Sequence, residues 1–216
     1  MTRSVDEIVL FDYWRSSASY RVRLGLELKG MAYRRVAVNL AAGEQRLSEH
    51  LTRNPIGAVP VLDIDGLRFT QSLAILEYLD ETRRIHPLLP TAPAERARAR
   101  ALALIVAADI HPLGNLSTLN RVADLGGEQA KLDWVRNCIA TGLAAFEAVL
   151  AESGSMPFCA GDAPGLADVC LIPQLYNADR WGVDLTALPR CTAARDAFSQ
   201  LPAFQAAHPD RFAPVS

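Results

Sequence analysis

The sequence has no marked excess of charge of either sign, since 22 basic residues face 24 acidic ones in a chain of 216. This balance gives no sign of the strongly basic surface that nucleic-acid-binding proteins present to phosphates. No apolar run approaches the roughly 20 residues of a membrane-spanning helix, and the first residues lack the apolar core of a signal peptide. We therefore expect a soluble, cytoplasmic protein with neither a nucleic acid nor a membrane as partner.

Cysteine is also scarce and scattered. The four cysteines are Cys138, Cys159, Cys170 and Cys191. None belongs to a C-x-x-C pair, and no histidine cluster supplies the remaining ligands of a zinc site. Cys138 and Cys170 lie in apolar stretches, where a buried thiol behaves as a small hydrophobic group. The sequence thus predicts no metal site, and it favours a structural role for the cysteines over a redox role.

Strand-like and helix-like segments alternate in residues 1–83. Short apolar or alternating runs predict strands at 8–11, 33–40, 58–64 and 67–70, and helices are predicted at 20–29, 46–53 and 72–83. The strands on either side of the first helix should be parallel, with a right-handed crossover. Asp65-Gly66 favours a type I′ turn between the last two strands. Residues 1–83 are therefore predicted to form a thioredoxin-like α/β domain with a mixed four-stranded sheet.

A proline-rich connector follows, with three prolines between residues 87 and 93. Proline lacks a backbone N–H group and stiffens the chain, so we place a linker at 84–93. Beyond the linker the hydrophobic periodicity is helical, and it predicts helices at 97–108, 128–152, 167–177 and 192–200. Residues 94–216 are therefore predicted to form an all-α domain.

Three short motifs of the first domain could bind a peptide-like anion. The serine-rich turn at 16–19 precedes the first helix, where hydroxyls and amides could hold an anion or a thiolate, or only cap the helix. If the Val59–Pro60 bond is cis, Val59 could present its backbone polar groups to an extended ligand; otherwise Pro60 is an ordinary strand-edge proline. Gln71-Ser72 could receive a carboxylate at the start of the next helix, or again act as a plain cap.

Taken in order, these motifs resemble a known family. The blocks S-S-x-S-x-R-V-R-L, N-P-x-x-x-V-P and Q-S-L-A-I-L-E-Y-L are similar to the N-terminal domain of zeta-class glutathione transferases. The likeness continues through H-P-L-x-N-L-S at 111–117, A-D-V-C-L-I-P-Q at 167–174 and N-A-D-R at 177–180, and it covers roughly residues 8–210. The resemblance implies a glutathione-transferase fold, glutathione as cofactor and a two-fold homodimer.

The resemblance also implies roles for individual residues. Ser16 would hydrogen-bond the glutathione sulfur with Ser17 beside it, and Val59 would pair through its backbone with the cysteinyl unit. Arg15 and Arg180 match basic residues that hold the carboxylates of an anionic substrate. The other implied glutathione contacts are Ala18, Gln45 at the glycyl end, Gln71 and Ser72 at the γ-glutamyl end, and His111, Asn115 and Ser117 from the helical domain.

The activity implied by the resemblance is the glutathione-dependent cis–trans isomerisation of maleylacetoacetate to fumarylacetoacetate in aromatic amino acid catabolism. The motifs leave three alternatives open: a maleylpyruvate isomerase, a zeta-type transferase that acts on α-haloacids, and a glutathione-binding protein without catalysis. Two positions depart from the family pattern. Ala18 replaces the cysteine of the usual S-S-C signature, and Gly165 stands where relatives usually carry the Ser or Thr that caps the helix containing Asp168.

Overall fold

Four short strands form a mixed sheet in the computed structural model, which describes residues 7–154 and 157–214. The strands are β1 (Val9–Asp12), β2 (Arg34–Ala37), β3 (Val61–Ile64) and β4 (Leu67–Thr70). Their order is β2-β1-β3-β4, with β1 parallel to β2 and antiparallel to β3. Asp65 and Gly66 between β3 and β4 both have positive φ, 53° and 74°, as a type I′ turn requires. The predicted mixed four-stranded sheet is confirmed.

Three helices belong to the same part of the chain, namely α1 (Ser17–Leu28), α2 (Ser48–Leu51) and α3 (Ser72–Thr82). Because side chains alternate between the faces of a strand, Leu10 and Leu62 point to one face of the sheet and Val9 and Val61 to the other. The first face packs against apolar residues of α1 and α3, which are Val22, Leu26, Ile75 and Leu79. Helix α1 begins three residues before its predicted start, because Ser16 caps it.

Helices α1 and α3 touch along three successive turns. The contacts are Arg21–Ser72, Gly25–Leu76 and Lys29–Asp80. Each step advances four residues, about one helical turn, on both helices. The two helices therefore run parallel, and their N-termini lie at the same end of the unit. We call these three contacts together the α1–α3 seam.

The described residues between 89 and 201 form a second compact unit that is helical. Its helices are α4 (Pro93–Leu104), α5 (Leu116–Ser153), α6 (Leu166–Trp181) and α7 (Pro189–Ser199). Helix α5 is kinked at Gly127, whose φ of 81° and ψ of 178° are not helical. A π-helical turn (Ile105–Ile110) and a 3₁₀ turn (His111–Gly114) connect α4 to α5. No single helix of the described residues is long and apolar enough to cross a membrane; only Pro93–Gly114 and Leu116–Glu152 taken together, with a 45° bend, reach that length and composition.

A buried carboxylate fixes the start of α6. Asp168 is completely buried, and its two oxygens accept hydrogen bonds from the backbone N–H groups of Cys159 and Gly165, each at 2.9 Å. Burial raises the pKa of Asp168, and the two amide hydrogen bonds act in the opposite direction. Since Gly165 has no side chain to offer as a cap, Asp168 stabilises this helix end.

The C-terminal segment groups with the first unit, which comprises the described residues 7–88 together with 202–214. The helical periodicity of the sequence predicts one helical domain over residues 94–216. In the structure, α8 (Pro202–Ala207) and a 3₁₀ turn (Pro209–Phe212) belong to the unit that contains α1. The His208 ring meets the Tyr20 ring edge-on at 6.1 Å. This grouping depends on long-range contacts that local sequence patterns do not reveal.

A buried ion pair ties this unit together. Asp12 and Arg23 have fully buried side chains; Arg23 Nη1 donates to Asp12 Oδ2 at 2.5 Å, and Arg35 Nε donates to Asp12 Oδ1 at 2.5 Å. Arg23 also donates from Nη2 to the Trp14 carbonyl and from Nε to the Ala207 carbonyl, both at 3.0 Å. Burial lowers the pKa of Arg23, and the Asp12 carboxylate opposes that shift. One guanidinium thus joins β1, α1, the loop before α1 and the C-terminal segment.

The α1–α3 seam predicts the effect of filling Gly25. A Cβ atom there would lie 2.2 Å from Leu76 Cδ2, and Leu76 is fully buried with little room to move. We expect Gly25→Ala to lower the free energy of unfolding by about 1–3 kcal/mol, although alanine gains about 1 kcal/mol in helix propensity. Urea denaturation measures this change. Gly114→Ala is the control, since its nearest neighbour would lie at 3.9 Å; equal effects of the two substitutions would contradict the close packing.

The Asp12 ion pair gives a second prediction about stability. Asp12→Asn removes the negative charge between two guanidinium groups, one of them fully buried. Breaking a buried pair from one side costs about 3–5 kcal/mol, and we expect a loss of that order in urea denaturation. Glu7→Gln is the matched control, because the Glu7–Arg34 pair is exposed to solvent and exposed pairs contribute little. A loss no larger than that of the control would refute the role of Asp12.

Candidate functional site

The N-terminus of α1 presents hydrogen-bond donors around Ser16. Ser16 is the N-cap of α1: its Oγ accepts a hydrogen bond from the Ser19 amide at 3.2 Å. The plain capping role considered from the sequence is therefore present in the structure. An accepting hydroxyl keeps its own proton for donation, and the first amides of a helix, here those of Ser17 and Ala18, have no acceptor within the helix. This end of α1 can thus donate several hydrogen bonds to an anion.

Arg15 places a cation next to these donors in the chain. Its side chain is exposed, its guanidinium lies 4.8 Å from the centre of the Trp14 ring, and its Nη2 lies 3.4 Å from the Tyr13 hydroxyl. Contacts with an aromatic face are favourable for guanidinium groups and leave their N–H edge available. Arg15 can therefore meet an anionic group from solvent.

Val59 lies just before β3 and is nine-tenths buried. The Val59–Pro60 bond is cis. In this isomer Val59 could present its backbone polar groups to an extended ligand. The segment before Val59 is held by two side chains that are not among the predicted site residues. Asn54 Nδ2 donates to the Ala58 carbonyl at 2.8 Å, and His50 Nε2 lies 3.0 Å from the same oxygen. The N-P-x-x-x-V-P spacing was the only sequence signal for Asn54.

Gln71 and Ser72 form the start of α3. Gln71 has a positive φ of 68°, is exposed, and makes no side-chain cap to the helix. Ser72 is buried, and its Oγ accepts a hydrogen bond from Arg21 Nη1 at 2.8 Å. Within the described part of the chain α3 has no side-chain cap, so its first amides can donate hydrogen bonds to a ligand oxygen.

The register of the sheet brings these three segments to one end of the first unit. Phe11 of β1 lies opposite Val61 of β3, which lies opposite Thr70 of β4. Three segments join the sheet next to this row of paired residues. They are the loop to Ser16, the Val59–Pro60 segment and Gln71. Parallel packing of α1 and α3 places their N-termini at the same end. The structure thus gathers Arg15, Ser16, Ser17, Ala18, Val59, Gln71 and Ser72 around one end of the sheet.

Gln45 lies further along the chain, in the one-turn 3₁₀ helix Glu44–Arg46. Its side-chain Oε1 is buried and accepts no hydrogen bond from the described residues. Its backbone oxygen would lie 3.1 Å from a Cβ atom on Gly57, two residues before Val59. Gln45 is therefore close to the segment that leads into Val59, and its role as a ligand contact stays a prediction.

The remaining predicted residues belong to the second unit. His111 begins the 3₁₀ turn before α5, Asn115 is the N-cap residue of α5, and Ser117 lies in the first turn, so these three are adjacent. Arg180 lies on another helix, in the last turn of α6. Its exposed guanidinium donates to Asn177 Oδ1 at 2.9 Å and lies 5.8 Å from the centre of the Trp181 ring. Ligand roles for all four residues stay predictions.

None of the cysteines lies in these segments. Cys159, Cys170 and Cys191 are buried, and Cys138 is half-buried. Burial raises the pKa of the Cys159 and Cys191 thiols, which disfavours the nucleophilic thiolate. With Ala18 in the third position of the serine motif, hydroxyl and amide groups are the donors at the start of α1.

Comparison with known families covers both parts of the chain. The family model described as the glutathione S-transferase N-terminal domain matches residues 6–81, and the one described as the glutathione S-transferase C-terminal domain matches residues 94–206. Among curated proteins, the maleylacetoacetate isomerase of Rhizobium meliloti (strain 1021) is 56% identical over 211 residues, which cover 97% of this chain and 99% of that protein.

Solved structures give the same result. A maleylacetoacetate isomerase from Anaeromyxobacter dehalogenans 2CP-1 with bound GSH in its active site has a TM-score of 0.87 and 45% identity, over 96% of this chain and 97% of that one. A second structure of that protein holds dicarboxyethyl glutathione and citrate in the active site. A holo maleyl pyruvate isomerase, a bacterial zeta-class glutathione S-transferase, has a TM-score of 0.92 and 39% identity, over 96% of this chain and 99% of that one.

Thiol labelling tests whether the buried cysteines are unreactive in the native protein. We expect a water-soluble thiol reagent to modify only Cys138 in the native protein, because the other three thiols are buried. Burial also raises the pKa of Cys138, so its labelling should accelerate as the pH rises beyond the usual thiol range. All four cysteines should react in denaturant, and Cys138→Ser should abolish native labelling. Fast native modification of a second cysteine would contradict this assignment.

Proposed function

This chain belongs to the glutathione S-transferase family, and on that premise we propose that it is a glutathione-dependent isomerase that converts maleylacetoacetate to fumarylacetoacetate. The observation that carries the proposal is the meeting of two helix N-termini and the Val59 segment at one end of the first unit. Such an end suits a ligand that is peptide-like, anionic and bears a thiol. The maleylacetoacetate isomerases among the relatives support the choice of substrate.

Glutathione would lie across this end with its sulfur at Ser16. The Ser16 hydroxyl would donate to the sulfur, and the amides of Ser17 and Ala18 would add further donors at the positive end of the helix dipole. Both effects favour the thiolate, so they lower the pKa of the bound thiol. Ala18 contributes only its backbone amide, so the proposed sulfur site makes no use of the cysteine side chain of the usual signature.

The rest of the tripeptide would be held by groups on either side. Val59 would pair through its backbone with the cysteinyl unit, as an added strand does. Gln71 and Ser72 would hold the γ-glutamyl carboxylate and amine at the start of α3. Gln45 would reach the glycyl end. The further contacts proposed from the second unit are His111, Asn115 and Ser117.

The reaction begins when the thiolate adds to one carbon of the maleyl double bond. A C–S bond forms, and the π electrons move onto the conjugated carbonyl as an enolate. The former double bond is now single and can rotate. Collapse of the enolate then expels the thiolate and restores the double bond as trans, with no net gain or loss of protons. Arg15 and Arg180 would hold the substrate carboxylates and stabilise the enolate charge.

A relative's bound molecule supports this addition step. Dicarboxyethyl glutathione, found in the active site of the Anaeromyxobacter protein, is glutathione that carries a dicarboxylic group. An active site that holds such a molecule accommodates both a glutathione moiety and two further carboxylates. The same arrangement in this chain would need cations at the substrate end, which is the role proposed for the two arginines.

Maleylpyruvate is the second candidate substrate. The similarity to a zeta-class maleyl pyruvate isomerase favours it specifically, and its isomerisation would use the same thiolate and the same cations. On the family resemblance we also propose a two-fold homodimer, a cytoplasmic location and a place in aromatic amino acid catabolism. Light scattering measures the oligomeric state directly.

Turnover of each maleyl substrate, with and without glutathione, tests the function. We expect isomerisation only with glutathione, and we expect Ser16→Ala to lower kcat/KM by about 10- to 100-fold, because a hydrogen bond to a charged sulfur is lost. Ser199→Ala in α7 should leave the rate unchanged and serves as the control.

Three other results would each contradict part of the proposed function. Isomerisation that Ser16→Ala leaves intact would contradict the proposed sulfur site. Turnover of α-haloacids alone would identify a transferase instead of an isomerase. Tight glutathione binding with no turnover of any substrate, and with no thiolate absorbance of the bound ligand at neutral pH, would identify a binding protein.

A further inference from the structure

Arg21 contacts the candidate site from inside the protein. It lies in the second turn of α1, has only 2% of its surface exposed, and matches none of the roles implied by the family resemblance. Its Nη1 donates a hydrogen bond of 2.8 Å to the hydroxyl oxygen of Ser72, the first residue of α3. Arg21 therefore lies directly behind a side chain proposed to hold the γ-glutamyl carboxylate.

This contact determines how the Ser72 hydroxyl can be used. A serine hydroxyl has one proton to donate and two lone pairs to accept, whereas a guanidinium can only donate. Because Arg21 occupies a lone pair of Ser72 Oγ, the proton of that hydroxyl must point to a different acceptor. The open end of α3, where the first helix amides also point, is where an anionic acceptor would be favoured.

The positive charge of Arg21 also favours an anionic ligand group at the start of α3. Arginine stays protonated at all ordinary pH values, and hydrogen bonds linked to an ionised group are stronger than neutral ones. In a poorly solvated environment, a positive charge one hydroxyl away from a ligand carboxylate is weakly screened. A neutral ligand group at the same position would gain much less electrostatic stabilisation from Arg21.

We propose that Arg21 is a positioning residue that makes Ser72 a dedicated hydrogen-bond donor and thereby selects a carboxylate at the start of α3. The proposal rests on the proposed function, in which that carboxylate is the α-carboxylate of the γ-glutamyl unit. According to this proposal, a buried residue of α1 determines how strongly the site prefers a ligand with the α-carboxylate over a ligand without it.

The simpler alternative is that Arg21 only fastens α1 to α3. It forms one of the three contacts of the α1–α3 seam, and the Lys29–Asp80 contact two turns further along is also charged and buried. Lys29 lies at the far end of that seam from Ser72. A substitution at Lys29 therefore disturbs the same helix pair without reaching the start of α3, and Lys29→Met is the matched control.

Calorimetric titration with two ligands separates these roles. The ligands are glutathione and γ-aminobutyryl-cysteinyl-glycine, which lacks only the α-carboxylate of the γ-glutamyl unit. The quantity compared is the ratio of their two dissociation constants within each variant, so that a partial loss of folded protein cancels. We expect Arg21→Gln to reduce the preference for glutathione by about tenfold or more, and Lys29→Met to leave it unchanged.

Two further variants keep the test decisive. Arg21→Met retains an apolar stem, and buried charges replaced by apolar groups are often tolerated. If Arg21→Gln does not fold, the ratio of dissociation constants is therefore measured in Arg21→Met. In a Ser72→Ala background the Arg21 substitution should have much less effect on the preference, because the hydroxyl that it orients is gone.

The outcomes distinguish this inference from the proposed function. If the wild-type protein prefers glutathione and both Arg21 variants keep that preference, Arg21 is merely structural and the inference is overturned. If the wild-type protein binds neither ligand, the proposed glutathione site fails, and this inference fails with it. A loss of preference confined to the Arg21 and Ser72 variants supports the assignment.

Discussion

Parallel packing of α1 against α3 sets the geometry on which the candidate site depends. Three contacts one turn apart hold the helices in register, and Gly25 lets them approach where any Cβ atom would collide with Leu76. Because the helices are parallel, their positive ends lie side by side. An antiparallel pair would separate Ser16 from Ser72 by the length of a helix, and no single ligand could use both.

The buried pair of Asp12 and Arg23 fastens this helix pair to the rest of the unit. A buried ion pair contributes little net stability relative to an apolar replacement, because desolvation offsets the attraction. Its effect here is positional: Arg23 has three hydrogen-bond partners, and one of them is the carbonyl of Trp14, two residues before Ser16. The same guanidinium thus anchors the loop that carries the candidate sulfur site and the C-terminal segment.

The two departures from the family pattern concern different properties of the protein. Ala18 removes a thiol from the start of α1, but the hydroxyl of Ser16 and the helix amides remain, and the proposed sulfur site uses only those donors. Gly165 removes a capping side chain, and the buried Asp168 carboxylate still binds the amide of that residue at 2.9 Å. The first change therefore concerns the composition of the candidate site, whereas the second concerns the stability of the second unit.

Local patterns in the sequence determined most of the helices and strands, the type I′ turn and the order of the Ser16, Val59 and Gln71-Ser72 motifs, because each depends on residues close together in the chain. The tertiary structure alone decided which side chains meet. Arg21 and Ser72 are 51 residues apart, and Arg23 and Ala207 are 184 apart. Nothing in the spacing of either pair predicts contact, since pairing between distant elements follows from packing of the whole unit. For the same reason the grouping of the C-terminal segment with α1, and the buried guanidinium behind Ser72, emerged only from the folded chain.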